Sequence, residues 1–280
     1  ASTDRTEDIC RDYAAADDRI RYVRHPENLG AAYNFNRVVA LARGPYFRWA
    51  CDDDVLFPTN LERCVSVLDE RPEAVIAAPR TTVIDAEGET VSDQSWLRRL
   101  DLRSPHPNQR LAEFLKAYRW LGCGSQIFGV MRTEVLRQTD GHGDYPSADY
   151  VLLAEMALHG QIHEVDEVLF QKRIHGGSSV ESNDWSIQNI AEWYNPENKG
   201  KLQWLEVTWL LEFVRAIERA PVQGAEKLRC YGQLLREYVG PHAKKIAKEV
   251  LMLSARRLSR GRIEMSRKTH GFNTVYRLKG

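Results

Sequence analysis

No run of eighteen apolar residues occurs in this sequence, so no stretch of it reads as a membrane-spanning helix. No Cys-x-x-Cys pair occurs either. The five cysteines, Cys10, Cys51, Cys64, Cys123 and Cys230, are odd in number and scattered, which argues against a disulfide framework and for reduced thiols in a cytoplasmic protein. Excess charge is missing as well. Lys+Arg and Asp+Glu both number 39, and no basic stripe is interleaved with aromatics, so nothing points to nucleic acid as a partner. Internal repeats and low-complexity tracts are absent, which excludes a solenoid. The chain also opens on Ala1 rather than Met. What is present is ordinary for a globular protein: 280 residues, 43% hydrophobic and 28% charged, enough to bury a core without disulfides or a structural metal.

The first eighty residues alternate in period. Ser2 to Glu7 reads as a helix start, with Asp4 and Glu7 at capping-box spacing and Ile9 and Tyr13 on one face. Ile20 to Arg24 alternates as a short strand, and Pro26 to Gly30 is a turn. A helix over 32–42 ends at Gly44-Pro45, and Tyr46 to Ala50 reads as a buried strand running into Asp52-Asp53-Asp54. Another helix spans about 60–70, followed by a strand over 74–78. This alternation predicts an α/β fold with a mostly parallel sheet flanked by helices. Further on, a hairpin is expected around Asp85–Gly88, a helix near 111–118, a strand over 126–131, a helix over 149–159 and two strands near 162–165 and 168–174. Beyond about Asn183 the pattern is helical, over 202–217, 226–238 and 243–258. The expected organisation is an α/β core over 1–185 and a helical region over 186–280.

Three adjacent carboxylates at a strand's carboxyl end concentrate charge where open α/β sheets bind ligands. Hard divalent cations take carboxylate oxygens together with substrate phosphates. A solvated acidic turn would leave the same trace, so Asp52 to Asp54 alone carry even weight for either reading. Asp149 follows a Gly- and Asp-rich loop and opens a helix; it reads as an N-cap or as a general base. His175 ends a strand before two glycines and is free to reach a metal or a phosphate. Asn28 and Gly30 precede a helix N-terminus, a setting suited to anions.

Taken in order, these stretches resemble the family 2 glycosyltransferases of the GT-A fold. The resemblance rests on Ser2-Thr3-Asp4, Asn28-Leu29-Gly30 with Asn36, Asp52 to Pro58, Gly124-Ser125, Ala148-Asp149-Tyr150 and Arg173-Ile174-His175, over roughly residues 1 to 180. It implies an inverting, metal-dependent transfer from a nucleoside-diphosphate sugar, with a UDP-sugar as the favoured donor and Mn2+ or Mg2+ as the ion. In that reading the acidic DXD motif supplies Asp53 and Asp54 to the metal and Asp52 to the ribose. His175 joins the metal, Asn28, Gly30 and Asp4 lie beside the nucleotide, and Asp149 activates the acceptor hydroxyl. Acceptors in the family are glycans, lipid-linked sugars or small molecules. Two departures stand out. Members begin with a strand, helix and strand ending in Asp, which here would precede Ala1, so the first βαβ strands are expected to be missing and the N-terminus truncated. Many members also carry Asp where this chain has Cys51.

A nucleotidyltransferase that makes a sugar nucleotide, or a non-catalytic binding or assembly module, are the competing readings. The C-terminal segment Pro241–Gly280 holds eleven Lys/Arg against two Glu, a net of +9, with Ile246, Val250 and Leu253 near one helical face. That pattern fits a peripheral membrane contact, or a solvated helix packing on the core or on a second subunit of a homo-oligomer.

Overall fold

The computed structural model describes residues 1–91, 99–118, 123–176 and 186–255. In chain order the elements are α1 (Thr6–Ala16), α2 (Ala31–Leu41), β1 (Tyr46–Phe47), β2 (Val55–Leu56), α3 (Asn60–Glu70), β3 (Ala74–Ile84), α4 (Pro107–Tyr118), β4 (Val130–Arg132), α5 (Thr133–Leu136), α6 (Ala148–His159), β5 (Gln161–Arg173), α7 (Ile187–Tyr194), α8 (Leu205–Arg219) and α9 (Gly224–Leu234). A π turn over Leu235–Val239 joins α9 to helical backbone over 240–255.

Five strands form one sheet in the order β1-β4-β3-β5-β2. The long strands β3 and β5 are parallel; the other three pairings are antiparallel. β3 begins as Ala74-Val-Ile-Ala-Ala78, buried throughout, because both faces of a central strand are covered. On one face Ala74 and Ala77 meet Cys64 and Leu68 of α3, with Val165 and Leu169 of β5. On the other, Val75, Ile76 and Ala78 join the main core with α4, α6 and the later helices. Gly129 must be small, since a Cβ there would come within 2.8 Å of the Ala77 carbonyl oxygen.

Helix α6 is apolar all round, with nine of its residues buried from Ala148 to Leu158, so it lies inside the molecule rather than on it. Two buried ionic groups are satisfied there. Glu155 takes a forked contact from Arg219 of α8 at 2.8 and 2.9 Å. Arg110 donates to the carbonyls of Ala157 and Ser104 at 2.6 and 2.7 Å, supplying donors to a helix end that lacks them. Phe213, Ala216, Ile217, Cys230, Leu234 and Tyr238 belong to the same cluster as Phe114, Leu152 and Ile76. The boundary near residue 185 thus divides the chain in sequence, while the helices beyond it share the core before it.

Several local expectations are corrected. Residues 20–24 form no strand and pair with none among the described residues. The strand expected over 46–50 pairs only at Tyr46–Phe47. Residues 126–128 lie in a 3-10 turn, and the strand starts at Val130. The two strands expected around 162–174 are one. Their apparent break is a bulge, where Pro79 pairs with Val165 but Arg80 pairs with Val168, leaving Asp166 and Glu167 outside the ladder. Pro79 sits at this irregularity, where its missing N–H is tolerated. The capping box is not made, since Arg5 rather than Asp4 holds the N-cap position and bonds no N–H of the first turn through its side chain. Asp4 accepts from the Thr6 N–H at 3.0 Å, whereas Glu7 pairs with Arg11 and Arg24 instead of returning to the helix start.

Candidate active site

The acidic triplet lies between β1 and β2, and three anchors fix its place. Trp49, 4% exposed, donates its indole N–H to the Phe35 carbonyl of α2 at 3.1 Å and so holds the chain just before the triplet. Just after it, β2 pairs with the end of β5, setting Val55 against Gln171 and Leu56 against Phe170. Between these, Arg173 acts as a brace. Its backbone N–H donates to Asp54 Oδ1 at 2.9 Å. Its guanidinium donates to the Asp53 carbonyl at 2.9 Å and to the carbonyls of Asp85 and Ala86 at 3.0 and 3.1 Å. The turn 85–89 that follows β3 is therefore stitched to the triplet at the carboxyl ends of the parallel pair, the edge where such sheets present their ligands.

The side chains then differ sharply. Asp52 is exposed. Asp53 is half-buried and its Oδ2 lies 3.1 Å from His175 Nε2. Asp54 is half-buried, and burial pushes its carboxyl up despite the Arg173 N–H. The Cys51 thiol is pushed up to about 12, first by burial and then by the three neighbouring carboxylates. One ligand atom each from Cys51, Asp53 and Asp54 lies within 4.8 Å of the others. Carboxylate oxygens beside an imidazole nitrogen form a donor set that fits a divalent cation.

Asp149 is the second residue of α6 and not its cap; Ser147 holds that position in a left-handed conformation, φ 59°. A non-glycine residue there carries backbone strain. Burial raises the Asp149 carboxyl to about 6, opposed by the Lys172 ammonium and nearby backbone N–H groups. That value suits a general base near neutral pH. Lys172 also pulls down Asp54 and Cys51, so one ammonium on β5 acts on Asp149 and on the acidic cluster alike. Asp149 and the acidic cluster thus share one electrostatic neighbourhood.

The start of α2 borders the same region. Asn28 Oδ1 accepts the Gly30 N–H at 2.9 Å, and Gly30 caps α2 at φ 86°. Ala32 packs with Ala148 and Tyr194 in a small cluster, which sets the α2 N-terminus against the start of α6. Asn36 exchanges two 2.8 Å hydrogen bonds with the backbone of His142, fixing the loop that leads to Asp149. Its role is positional. Ser125 is buried in its 3-10 turn. Asp4 lies at the surface before α1, where its Oδ1 accepts from the Thr6 backbone N–H and hydroxyl, contacts that stay within that turn; Arg24, bonded to the Ser2 carbonyl at 3.0 Å, links that end to the 20–30 segment.

Two residues escaped the sequence reading. Lys172 is one of a run of polar residues closing a strand, and nothing in its spacing marks it. Tyr194 ends α7, far along the chain; burial and then the Asp149 carboxylate raise its phenol, placing that hydroxyl among Asp149, Tyr145 and Tyr150. An aromatic in an amphipathic helix gives no sequence signal for such a position.

Residues 1–139 match the family model described as Glycosyl transferase family 2. Among similar proteins, uncharacterized protein y4gI of Sinorhizobium fredii is 29% identical over 62% of this chain, a match spanning 18% of its own length. Uncharacterized protein Mb1547 of Mycobacterium bovis is 27% identical over 63% of the chain and 49% of its own length. An uncharacterized glycosyltransferase of Haemophilus influenzae is 26% identical over 64% and 55%. The chain therefore spans about half or less of these relatives. Among solved structures, residues 1–349 of TarS from S. aureus in complex with UDP-GlcNAc superpose with a TM-score of 0.54 at 15% identity, covering 89% of this chain and 68% of that one. The fold is the mixed α/β arrangement of the GT-A glycosyltransferases.

Proposed function

We propose, from a chain whose residues 1–139 carry the family 2 glycosyl transferase pattern on a GT-A fold, that it moves a sugar from a nucleoside diphosphate to an acceptor hydroxyl with inversion. The observation that carries this reading is that the Lys172 ammonium acts both on Asp54 of the Asp53–Asp54–His175 cluster and on Asp149, whose carboxyl burial raises to about 6. UDP is the favoured nucleotide, supported by the UDP and UDP-GlcNAc found with TarS.

In this mechanism Asp149 accepts the proton of the acceptor hydroxyl as that oxygen attacks the anomeric carbon. The bond from that carbon to the diphosphate oxygen breaks on the opposite face, and the single displacement inverts the centre. Asp53, Asp54 and His175 would hold the divalent ion, Mn2+ or Mg2+, which when bound supplies positive charge to the departing diphosphate. Lys172 adds a fixed cation facing the same charge, and Asp52 reaches the ribose. Asn28 and Gly30 close the nucleotide side at the start of α2, with Asp4 beyond them, and Tyr194 orders the approach to Asp149.

The test pairs two variants. Asp149→Asn should lose transfer by roughly 100- to 10,000-fold while keeping nucleotide affinity. Asp53→Ala should lose the dependence of nucleotide binding on divalent ion. Calorimetric titration with UDP and product analysis by NMR read both, and a normal turnover in Asp149→Asn would refute the assignment.

A peripheral contact with anionic lipid is the second part of the proposal. The described part of the basic region exposes Val250, Leu251 and Met252, at 47%, 70% and 46%, on a helix that also carries Lys244, Lys245 and Lys248. Residues 256–280 lie outside the described residues. Co-sedimentation with phosphatidylserine vesicles at low salt is expected, reversed by salt; no binding at low salt sinks this part. Among the described residues no helix is long and apolar enough to cross a membrane.

A further inference from the structure

Cys51 departs from the residue expected at its position, and its surroundings give that departure a chemical meaning. Its sulfur is neither on the surface nor sealed in apolar packing. It lies half-buried among carboxylates, with ligand atoms of Cys51, Asp53 and Asp54 all within 4.8 Å of one another. It is a free thiol. His175 lies outside that group of three and reaches it through Asp53, whose Oδ2 is 3.1 Å from its Nε2. Asp54 has one oxygen engaged by the Arg173 N–H and a second beyond it. Donor atoms on one ion lie about 2.0–2.3 Å from it, so two of them are separated by at most about twice that distance. The observed spread is compatible with one ion touching all three side chains after small rotations about their χ angles.

Sulfur changes which ion such a set prefers. An all-oxygen site suits Mg2+, which is hard and keeps water, whereas thiolate and imidazole donors favour borderline and softer ions. We propose that Cys51 Sγ is a metal ligand of this site, forming with Asp53, Asp54 and His175 a mixed sulfur, oxygen and nitrogen set that takes a borderline divalent ion of the Co2+ or Zn2+ class in preference to Mg2+. The inference rests on the metal-dependent reading of the site and deepens it. A thiol that merely fills space beneath the loop would leave metal preference untouched.

Cobalt is the probe because its spectrum reports sulfur directly. The full chain, kept reduced with a phosphine, is titrated with Co2+. Expected are a near-ultraviolet sulfur-to-cobalt charge-transfer band and strong visible bands, saturating at one equivalent. Cys51→Ser, which leaves Cys10, Cys64, Cys123 and Cys230 in place, should lose the charge-transfer band. Its Co2+ affinity should fall by at least the roughly 10-fold that loss of an outer-shell partner costs. Cys51→Asp, in parallel, should bind Co2+ without that band and shift the Mg2+/Zn2+ preference, measured by competition, towards Mg2+. Co2+ binding that supports UDP binding but shows no charge transfer, with equal affinity in Cys51→Ser, overturns the role of Cys51 and leaves the metal-dependent reading standing. UDP binding that is indifferent to every divalent ion, with no Co2+ bound, overturns both.

Discussion

At the scale of single residues, the role proposed for Asp149 ties activity to stability. Its folded carboxyl is raised to about 6 by burial, above the value of an unfolded aspartate, so the protonated form is the one the fold favours. The stability tied to that proton is complete below the unfolded pKa near 4 and is lost as pH rises through about 6. Asparagine carries no charge at any pH. Asp149→Asn should therefore be more stable than the parent at pH 7.5 by about 1–3 kcal/mol, a gain that fades towards pH 4. Thermal unfolding at the two pH values checks this, and an equal difference at both would contradict it. In the parent, transfer should fall on the acid side with a midpoint near the same value of about 6. Asp53, Asp149 and His175 could be proposed from the sequence because carboxylates and imidazoles at strand and helix ends are candidates for chemistry whatever surrounds them. Lys172 and Tyr194 were not, because their significance comes from packing that brings β5 and α7 to one place.

Single elements hold the site through a few backbone contacts. Gly30 caps α2 at φ 86°, where a Cβ would lie 2.4 Å from the Tyr194 carbonyl oxygen. Gly30→Ala should cost about 1–3 kcal/mol from backbone strain alone, with further loss as α7 is pushed from α2. A urea titration that shows no shift in midpoint would contradict that packing. Arg173 braces the triplet against the turn after β3. Arg173→Met removes the guanidinium from the carbonyls of Asp53, Asp85 and Ala86, of which Asp85 keeps the Gly88 N–H. A loss of about 1–3 kcal/mol is expected, with weaker UDP binding because the triplet is no longer held in register with His175. The long helices were readable from period alone. The short strands were not: β1 and β2 have two paired residues each, too few for alternation to show. The bulge in β5 imitates a loop because Asp166 and Glu167 are polar and stand outside the ladder.

Across the whole molecule, the helices beyond residue 186 are structural partners of the sheet. The Glu155–Arg219 pair spans that junction with Glu155 only 1% exposed. Arg219→Met should cost about 3–5 kcal/mol by stranding a buried carboxylate, and adding Glu155→Leu should return most of it. Chemical denaturation of the single and double variants distinguishes the two effects. The alternation of helix and strand over the first eighty residues announced the α/β class, whereas the shared core could not be foreseen, since no local pattern tells which amphipathic face meets which. The contrast between the mountings of the two chemical groups has a further consequence. Asp149 rides on the most deeply enclosed helix, while Asp53 and Asp54 hang on a rim between two-residue strands. On the proposed roles, the rim can be remodelled to accept another leaving group without disturbing the interior, so donor preference should drift readily among relatives while the Asp149 end stays anchored.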